Sequence, residues 1–169
     1  MLTPLQPVTA FGIALVLGVL VLLAAARSGF GMWSFGALVV TTAVALAWSA
    51  DHADLPAGDA RTALAMMLAT IAVYVAWPFI AGRKLSADRF AWVAAAVAGP
   101  LAFFPAKHLW KVGFGSGAIG LLPVILGAVA LAATAGARRA AIPDAKTRQS
   151  AIVWLAAVAI SFTDRKSVV

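Results

Sequence analysis

The chain of 169 residues contains no cysteine, no glutamate and no asparagine. The missing cysteine excludes disulfides and thiol chemistry, and the missing glutamate excludes glutamate-based acid–base pairs. Charged residues amount to only 11%, whereas ordinary globular domains carry about 25%. A water-soluble globule could not be covered with so little polar surface.

Apolar residues are correspondingly abundant, at 63%, and the mean hydropathy is +0.99. The few charges cluster in short gaps and leave six runs without Asp, Glu, Lys, Arg or His. These runs are 8–26, 31–50, 62–82, 90–106, 112–137 and 149–163. About 20 helical residues cross a bilayer core of ~30 Å, and backbone groups in lipid must be paired within the segment. The sequence therefore predicts an all-α transmembrane bundle of about six antiparallel helices in a single region, residues 1–163.

The sixth run is short, because 15 helical residues span only about 22 Å. It is followed by Asp-Arg-Lys-Ser-Val-Val at 164–169. A common sequencing adapter, GATCGGAAGAGCGTCGTG, translates to those same six residues. We interpret 164–169 as an adapter-derived tail, the sixth helix as truncated and the chain as a fragment of a larger protein. The alternative is a genuine short basic tail.

Positive charge is distributed unequally between the two ends that antiparallel helices would create. One end would carry Arg61, Lys107 and Lys111. The other would carry Arg27, Arg83, Lys84, Arg89, Arg138, Arg139, Lys146 and Arg148. The positive-inside rule places the second end in the cytoplasm. We therefore expect a multi-pass protein of the bacterial inner membrane whose N-terminus lies outside.

All six tryptophans lie near the ends of the runs, at positions 33, 48, 77, 92, 110 and 154. Indole rings favour the headgroup level, so the placement predicts an aromatic belt. Packing between helices is the alternative. Asp88 and Asp144 stand where they could cap the fourth and sixth helices.

Several glycine and alanine patterns invite interpretation. Residues 115–120 match G-x-G-x-x-G, but a dinucleotide fingerprint needs a preceding strand and a later acidic residue, so we reject that interpretation. Small residues four apart favour close helix packing within this chain, and a specific dimer face is the alternative. The pairs are Gly113/Gly117, Ala94/Ala98, Ala95/Gly99 and the series Ala128/Ala132/Gly136.

Candidate chemical groups are few. Asp51, His52 and Asp54, with Asp59 nearby, are the only cluster of metal-ligand types, and we interpret it as a solvated loop. No histidine or carboxylate lies within sequence reach of the candidate nucleophiles Ser34, Thr41, Thr42, Ser116 and Ser161. We therefore expect no catalytic residue, no cofactor site and no metal site in this chain.

Lys107, His108, Trp110 and Lys111 form a basic and aromatic collar. Lys107 and Lys111 could bind an anionic lipid, or the collar could be an ordinary interface anchor with extended lysine stems. Pro78, Pro100, Pro105 and Pro123 lie in or near the helices. Helices broken by proline mark binding sites in some transporters, but membrane helices also contain proline without any site.

Four segments carry a resemblance to a known family. They are Leu2-Thr3-Pro4-Leu5, then Ala96-Val97-Ala98-Gly99-Pro100-Leu101 with Phe103-Phe104, then Gly120-Leu121-Leu122-Pro123, and finally Thr147-Arg148-Gln149-Ser150-Ala151-Ile152-Val153-Trp154. With these segments the chain resembles part of a large bacterial membrane-protein family catalogued as domain of unknown function 2339. The resemblance implies many spans and an inner-membrane location, and no activity.

Three functional classes follow from these patterns. The first is a structural or scaffolding part of a larger envelope protein. The others are a segment of a transporter or channel and a non-catalytic part of a membrane enzyme acting on lipid-linked substrates. Spans without ionisable residues argue against a coupled transporter core. The expected partners are the lipid bilayer and the remaining helices of the full-length protein, and not nucleic acid.

Overall fold

A computed structural model describes residues 6–52, 55–81 and 86–163. This part of the chain forms six long α-helices and no β-strand. They are α1 (Pro7–Ser28), α2 (Met32–Asp51), α3 (Ala57–Ile80), α4 (Arg89–Phe114), α5 (Leu121–Arg139) and α6 (Ala145–Thr163). The first five are long and apolar enough to cross a membrane, the fifth counted from Ser116, where a short 3₁₀ turn precedes it. The all-α helical bundle predicted from the runs is confirmed for the described residues.

The helix ends differ most from the predicted ones around α4. The predicted span 90–106 is too short, because α4 continues through Lys107, His108 and Lys111 to Phe114. These three side chains lie on the exposed side of the helix, so charge does not force it to stop. The predicted span 112–137 begins too early for the same reason, since its first residues belong to α4 and α5 runs from Leu121 to Arg139.

Two other helices begin before their apolar runs do. α3 begins at Ala57 after Pro56, five residues before the predicted 62, and holds Asp59 in its first turn. α6 begins at Ala145 instead of 149, because the Asp144 carboxylate accepts the N–H of Thr147 at 2.8 Å. Acidic groups suit the first turn of a helix, whose free N–H groups carry partial positive charge.

α4 lies at the centre of the bundle and packs against α2, α3, α5 and α6. Its buried face consists largely of alanines: Ala91, Ala94, Ala95, Ala98, Ala102 and Ala106. The predicted close packing at Ala94/Ala98 and Ala95/Gly99 is confirmed. Packing within the chain is wrong for Ala128 and Ala132, because both are exposed and α5 buries Leu126, Ala130 and Ala133 instead. The alternative of a dimer face stays a prediction.

The tryptophans divide into two groups. Trp33 and Trp154 are 57% and 56% exposed, which suits an aromatic belt. The other four are buried among the helices, so the belt interpretation is wrong for them and the packing alternative holds. These are Trp48, Trp77, Trp92 and Trp110.

Contacts between helix ends show which ends lie together. Asp88, before α4, bonds to Gly31 between α1 and α2, and Thr147 in α6 bonds to Ala87. At the other end, Arg61 in α3 bonds to Gly113 near the end of α4. Neighbouring helices are therefore antiparallel, and the predicted charge asymmetry appears in the structure. Arg83, Lys84, Asp54 and the tail 164–169 lie outside the described residues.

Candidate functional site

The end of the bundle where α3 begins and α4 finishes is organised by one arginine. The Nε–H of Arg61 donates to the carbonyl of Gly113 at 2.7 Å, and the guanidinium lies 5.0 Å from the centre of the Phe114 ring. A Cβ placed on Gly113 would stand only 3.0 Å from Cγ of Arg61, so glycine permits this approach. A carbonyl that would lack an intrahelical donor is thereby satisfied.

The collar predicted from Lys107 to Lys111 is part of the last turns of α4. Lys107 and Lys111 are exposed and four residues apart, so they share one face of the helix. Leu109 and Trp110 are buried on the opposite side. Two ammonium groups are thus presented together beside an apolar helix, which is the arrangement that a lipid phosphate or an interface anchor requires.

The glycine-rich segment 115–120 is a helix-to-helix connection. Gly115 has φ of +80°, a conformation that favours glycine, and it ends α4. A 3₁₀ turn at Ser116–Ala118 follows, and α5 begins at Leu121. A helix stands where a dinucleotide fingerprint needs a strand. The segment is therefore a turn.

The metal-ligand types at the end of α2 are engaged locally. Asp51 is the last residue of α2, and Nδ1 of His52 lies 2.9 Å from the carbonyl oxygen of Trp48. The imidazole also stacks on the Trp48 indole, with ring centres 4.4 Å apart. In the portions of the chain that the structure describes, no three His, Cys, Asp or Glu residues come together as a metal site.

The opposite end of the bundle is organised by Asp88. One carboxylate oxygen accepts the N–H of Phe90 at 2.8 Å, which confirms the predicted cap of α4. The second oxygen accepts the N–H of Gly31 at 2.8 Å. One side chain therefore satisfies the start of α4 and fixes the turn between α1 and α2.

The start of α6 is tied to the same end. Asp144 caps α6, and hydrogen bonding from Thr147 lowers the pKa of the Asp144 carboxyl group. The hydroxyl of Thr147 lies 3.3 Å from the carbonyl oxygen of Ala87, and a guanidinium nitrogen of Arg148 donates to the carbonyl of Arg138. The start of α6 is therefore joined both to the segment before α4 and to the end of α5.

The interior among α1 to α4 is tightly packed, with a few hydroxyl groups among apolar side chains. A cavity of about 20 Å³ lies among α1 to α4, lined in part by Thr41, Thr42, Thr70 and Pro105. That volume holds about one water molecule. Thr41 and Thr70 donate to the carbonyls of Ala37 and Met66 in their own helices, and Thr41 also pairs with the Tyr74 hydroxyl at 3.2 Å.

The four prolines differ in their effect on the backbone hydrogen bonds of their helices. Pro123 is in the first turn of α5, where a missing N–H removes no intrahelical bond. Pro78 lies in the last turn of α3. Pro100 and Pro105 are inside α4, where each leaves the carbonyl four residues earlier without its donor. α4 nevertheless continues as one helix from Arg89 to Phe114 across both prolines.

The fold and these two ends define a multi-pass helical bundle with the composition of a membrane protein. Comparisons with known protein families, with curated proteins and with solved structures find no match to this chain. The arrangement of named residues therefore carries the functional argument. Three of these features were not predicted from the sequence: the bond of Arg61 to Gly113, the bond of Asp88 to Gly31, and the small cavity among α1 to α4.

Proposed function

We propose that this chain is a structural, non-catalytic helical module of a larger multi-pass protein in the bacterial inner membrane. The observation that carries the proposal is the tight packing at the centre of the bundle, where the cavity among α1 to α4 is only about 20 Å³. A transport path for ions or solutes needs polar groups along a continuous opening. Alanine-rich packing around α4 supports rigidity instead.

The exposed surfaces of the outer helices support the same role. Large apolar side chains on α1 and α2 are more than half exposed, among them Leu17, Leu20 and Val40. Such faces suit lipid tails or further helices. The resemblance to the family catalogued as domain of unknown function 2339 is consistent with a longer chain supplying those helices.

Orientation is part of the proposal. Arg27, Arg89, Arg138, Arg139, Lys146 and Arg148 lie at the Asp88 end, against Arg61, Lys107 and Lys111 at the other. The bias favours the Asp88 end in the cytoplasm and the N-terminus outside. The paired lysines Lys107 and Lys111 would then meet phospholipid headgroups of the outer leaflet, and we propose an anionic lipid as their partner.

Solute flux through reconstituted vesicles tests the structural role. Proteoliposomes containing the chain should release ions and small dyes no faster than protein-free vesicles, while a pore-forming peptide releases both. A flux that rises with protein density and falls in Ala102→Phe, which fills the cavity, would overturn the proposal.

One observation favours the transporter or channel alternative. Pro100 and Pro105 interrupt the bonding of α4, and Pro105 lines the same cavity as Thr41 and Thr70. A broken helix beside hydroxyl groups is a feature of some transporter sites. The same flux assay therefore decides between the two classes.

A further inference from the structure

The corner between α5 and α6 combines concentrated positive charge with an apolar groove. Residues 138–148 contain four basic side chains, at 138, 139, 146 and 148, and one carboxylate, Asp144. That carboxylate is occupied in capping α6 through the N–H of Thr147. The corner therefore presents an excess of positive charge to any ligand.

A groove of about 360 Å³ opens beside this charge. Arg148 and Gln149 supply its polar side, and Ile142, Pro143, Ile152 and Val153 supply its apolar walls. Ile152 and Val153 follow Arg148 by one turn of α6, which is about 6 to 7.5 Å along the helix axis. The polar and apolar parts are thus stacked along the direction of the helix.

Arg148 is held in position at the mouth of the groove. One guanidinium nitrogen donates to the carbonyl of Arg138 at the end of α5. A guanidinium carries five N–H donors, so this bond leaves others for an anion. A planar donor fork fixed in this way suits the oxygens of a phosphate group.

The contacts of the α5–α6 corner indicate its depth in the bilayer. Thr147 bonds to Ala87, and the adjacent Asp88 bonds to Gly31 at the turn between α1 and α2. The ends of these apolar helices mark the headgroup level of a bilayer. The groove then extends from that level towards the hydrocarbon, along Ile152 and Val153.

We propose that this corner binds an anionic phospholipid, with the phosphate at Arg148 and an acyl chain along Ile152 and Val153. The proposal rests on insertion of the chain in a membrane. It concerns the end of the bundle opposite Lys107 and Lys111. A free phosphate ion would use the arginine but would leave the apolar walls without a ligand, so the groove favours a lipid.

Photocrosslinking in vesicles tests the site directly. Val153, which is 58% exposed, is replaced by p-benzoylphenylalanine, and the crosslinked lipids are identified by mass spectrometry. The vesicles contain phosphatidylglycerol and phosphatidylcholine with identical acyl chains. As the control, p-benzoylphenylalanine replaces Val44, which is 45% exposed on α2. At 153 the crosslinked ratio of phosphatidylglycerol to phosphatidylcholine should be about fivefold higher than in the bilayer, which corresponds to about 1 kcal/mol. The probe at 44 should report the bulk ratio.

Charge variants distinguish a site from general attraction. Arg148→Gln, and separately Arg139→Gln with Lys146→Gln, should lower the enrichment at 153 towards the bulk ratio. Arg27→Gln, which removes one exposed charge at the same end, should leave it unchanged. Equal loss in all three variants would show general surface attraction and would overturn the proposal.

Three further outcomes are decisive. A bulk ratio at 153 in the unmodified sequence, with lipid crosslinks at 44, would overturn the lipid site and leave membrane insertion standing. Absence of lipid crosslinks at both positions would contradict insertion itself. Displacement of the enriched lipid by millimolar inorganic phosphate would show that the corner recognises phosphate alone.

Discussion

The carboxylate of Asp88 accepts the backbone N–H of Gly31 at 2.8 Å, joining the α1–α2 turn to the beginning of α4 across 57 residues of sequence. The other oxygen of the same group caps α4 through Phe90. Two parts of the bundle therefore depend on one side chain. Its removal should affect both.

Asp88→Ala should destabilise the bundle by about 1 to 3 kcal/mol, because a helix cap and a second acceptor are lost together. Asp88→Asn should cost less, since its single carbonyl oxygen can cap α4 but cannot replace both acceptors. Thermal unfolding of the purified chain in detergent, followed by helical circular dichroism, measures both variants. Equal stability of Asp88→Ala and the unmodified chain would contradict this role.

Gly31→Ala tests the same contact from the other side. Gly31 has φ of −64°, which any residue adopts, yet a Cβ there would lie 2.6 Å from Cγ of Asp88. We expect a loss of about 1 to 3 kcal/mol from this overlap. In the double variant with Asp88→Ala the overlap is gone, so the combined loss should be smaller than the sum of the single losses.

Arg61→Lys should lower stability by about 1 kcal/mol, because lysine keeps the charge but cannot reproduce the Nε–H bond to Gly113 and the planar contact with Phe114. Lys107→Ala, at an exposed position of α4, is the matched control and should change the unfolding temperature little. Unchanged stability of Arg61→Lys would mean that the charge alone, and not the contact with Gly113 and Phe114, stabilises that end.

Gly136→Val should destabilise the packing of α5 on α3. A Cβ at Gly136 would stand 3.0 Å from the Phe79 ring, so a branched side chain must displace that ring at a cost of about 1 to 3 kcal/mol. Gly36→Val makes the same change in α2, where a Cβ would meet nothing within 4 Å. Unfolding temperatures should therefore fall in the first variant and not in the second.

The cap of α6 should depend on pH. Because hydrogen bonding to Thr147 lowers the pKa of Asp144 in the folded chain, its stabilising effect is present above the unfolded pKa of about 3.9 and is lost as pH falls through the lower folded value. Asp144→Asn caps without titrating, so its stability relative to the unmodified chain should rise as the pH is lowered below about 4. A constant difference from neutral to acidic pH would contradict the assignment.

The number and type of the helices could be predicted because lipid leaves a backbone no alternative to internal pairing. The end of α4 could not, since Lys107 and Lys111 lie on an exposed face and do not stop a helix. The buried face of α5 also escaped prediction. Alanines of α5 lie on all sides of the helix, so spacing alone cannot distinguish exposed Ala128 from buried Ala130.

The candidate sites could not be predicted from the sequence, because they depend on how the helices pack. Arg61 and Gly113 are 52 residues apart, and neither belongs to a motif. A single arginine before an apolar run is normally interpreted as a marker of membrane topology. The bond of Arg61 to the Gly113 carbonyl depends on how α3 packs against α4, which the sequence does not show. The groove beside Arg148 likewise depends on the angle at which the α5–α6 connection turns.

The hydrogen bonds of the hydroxyl groups within the helices affect the order in which the bundle can assemble. Thr41, Ser49, Thr70 and Thr134 each donate to the carbonyl four residues earlier in their own helix. Their polar atoms are therefore paired before any neighbouring helix is present. These four hydroxyl groups can therefore enter lipid already paired, and packing of the helices can follow as a separate, later step.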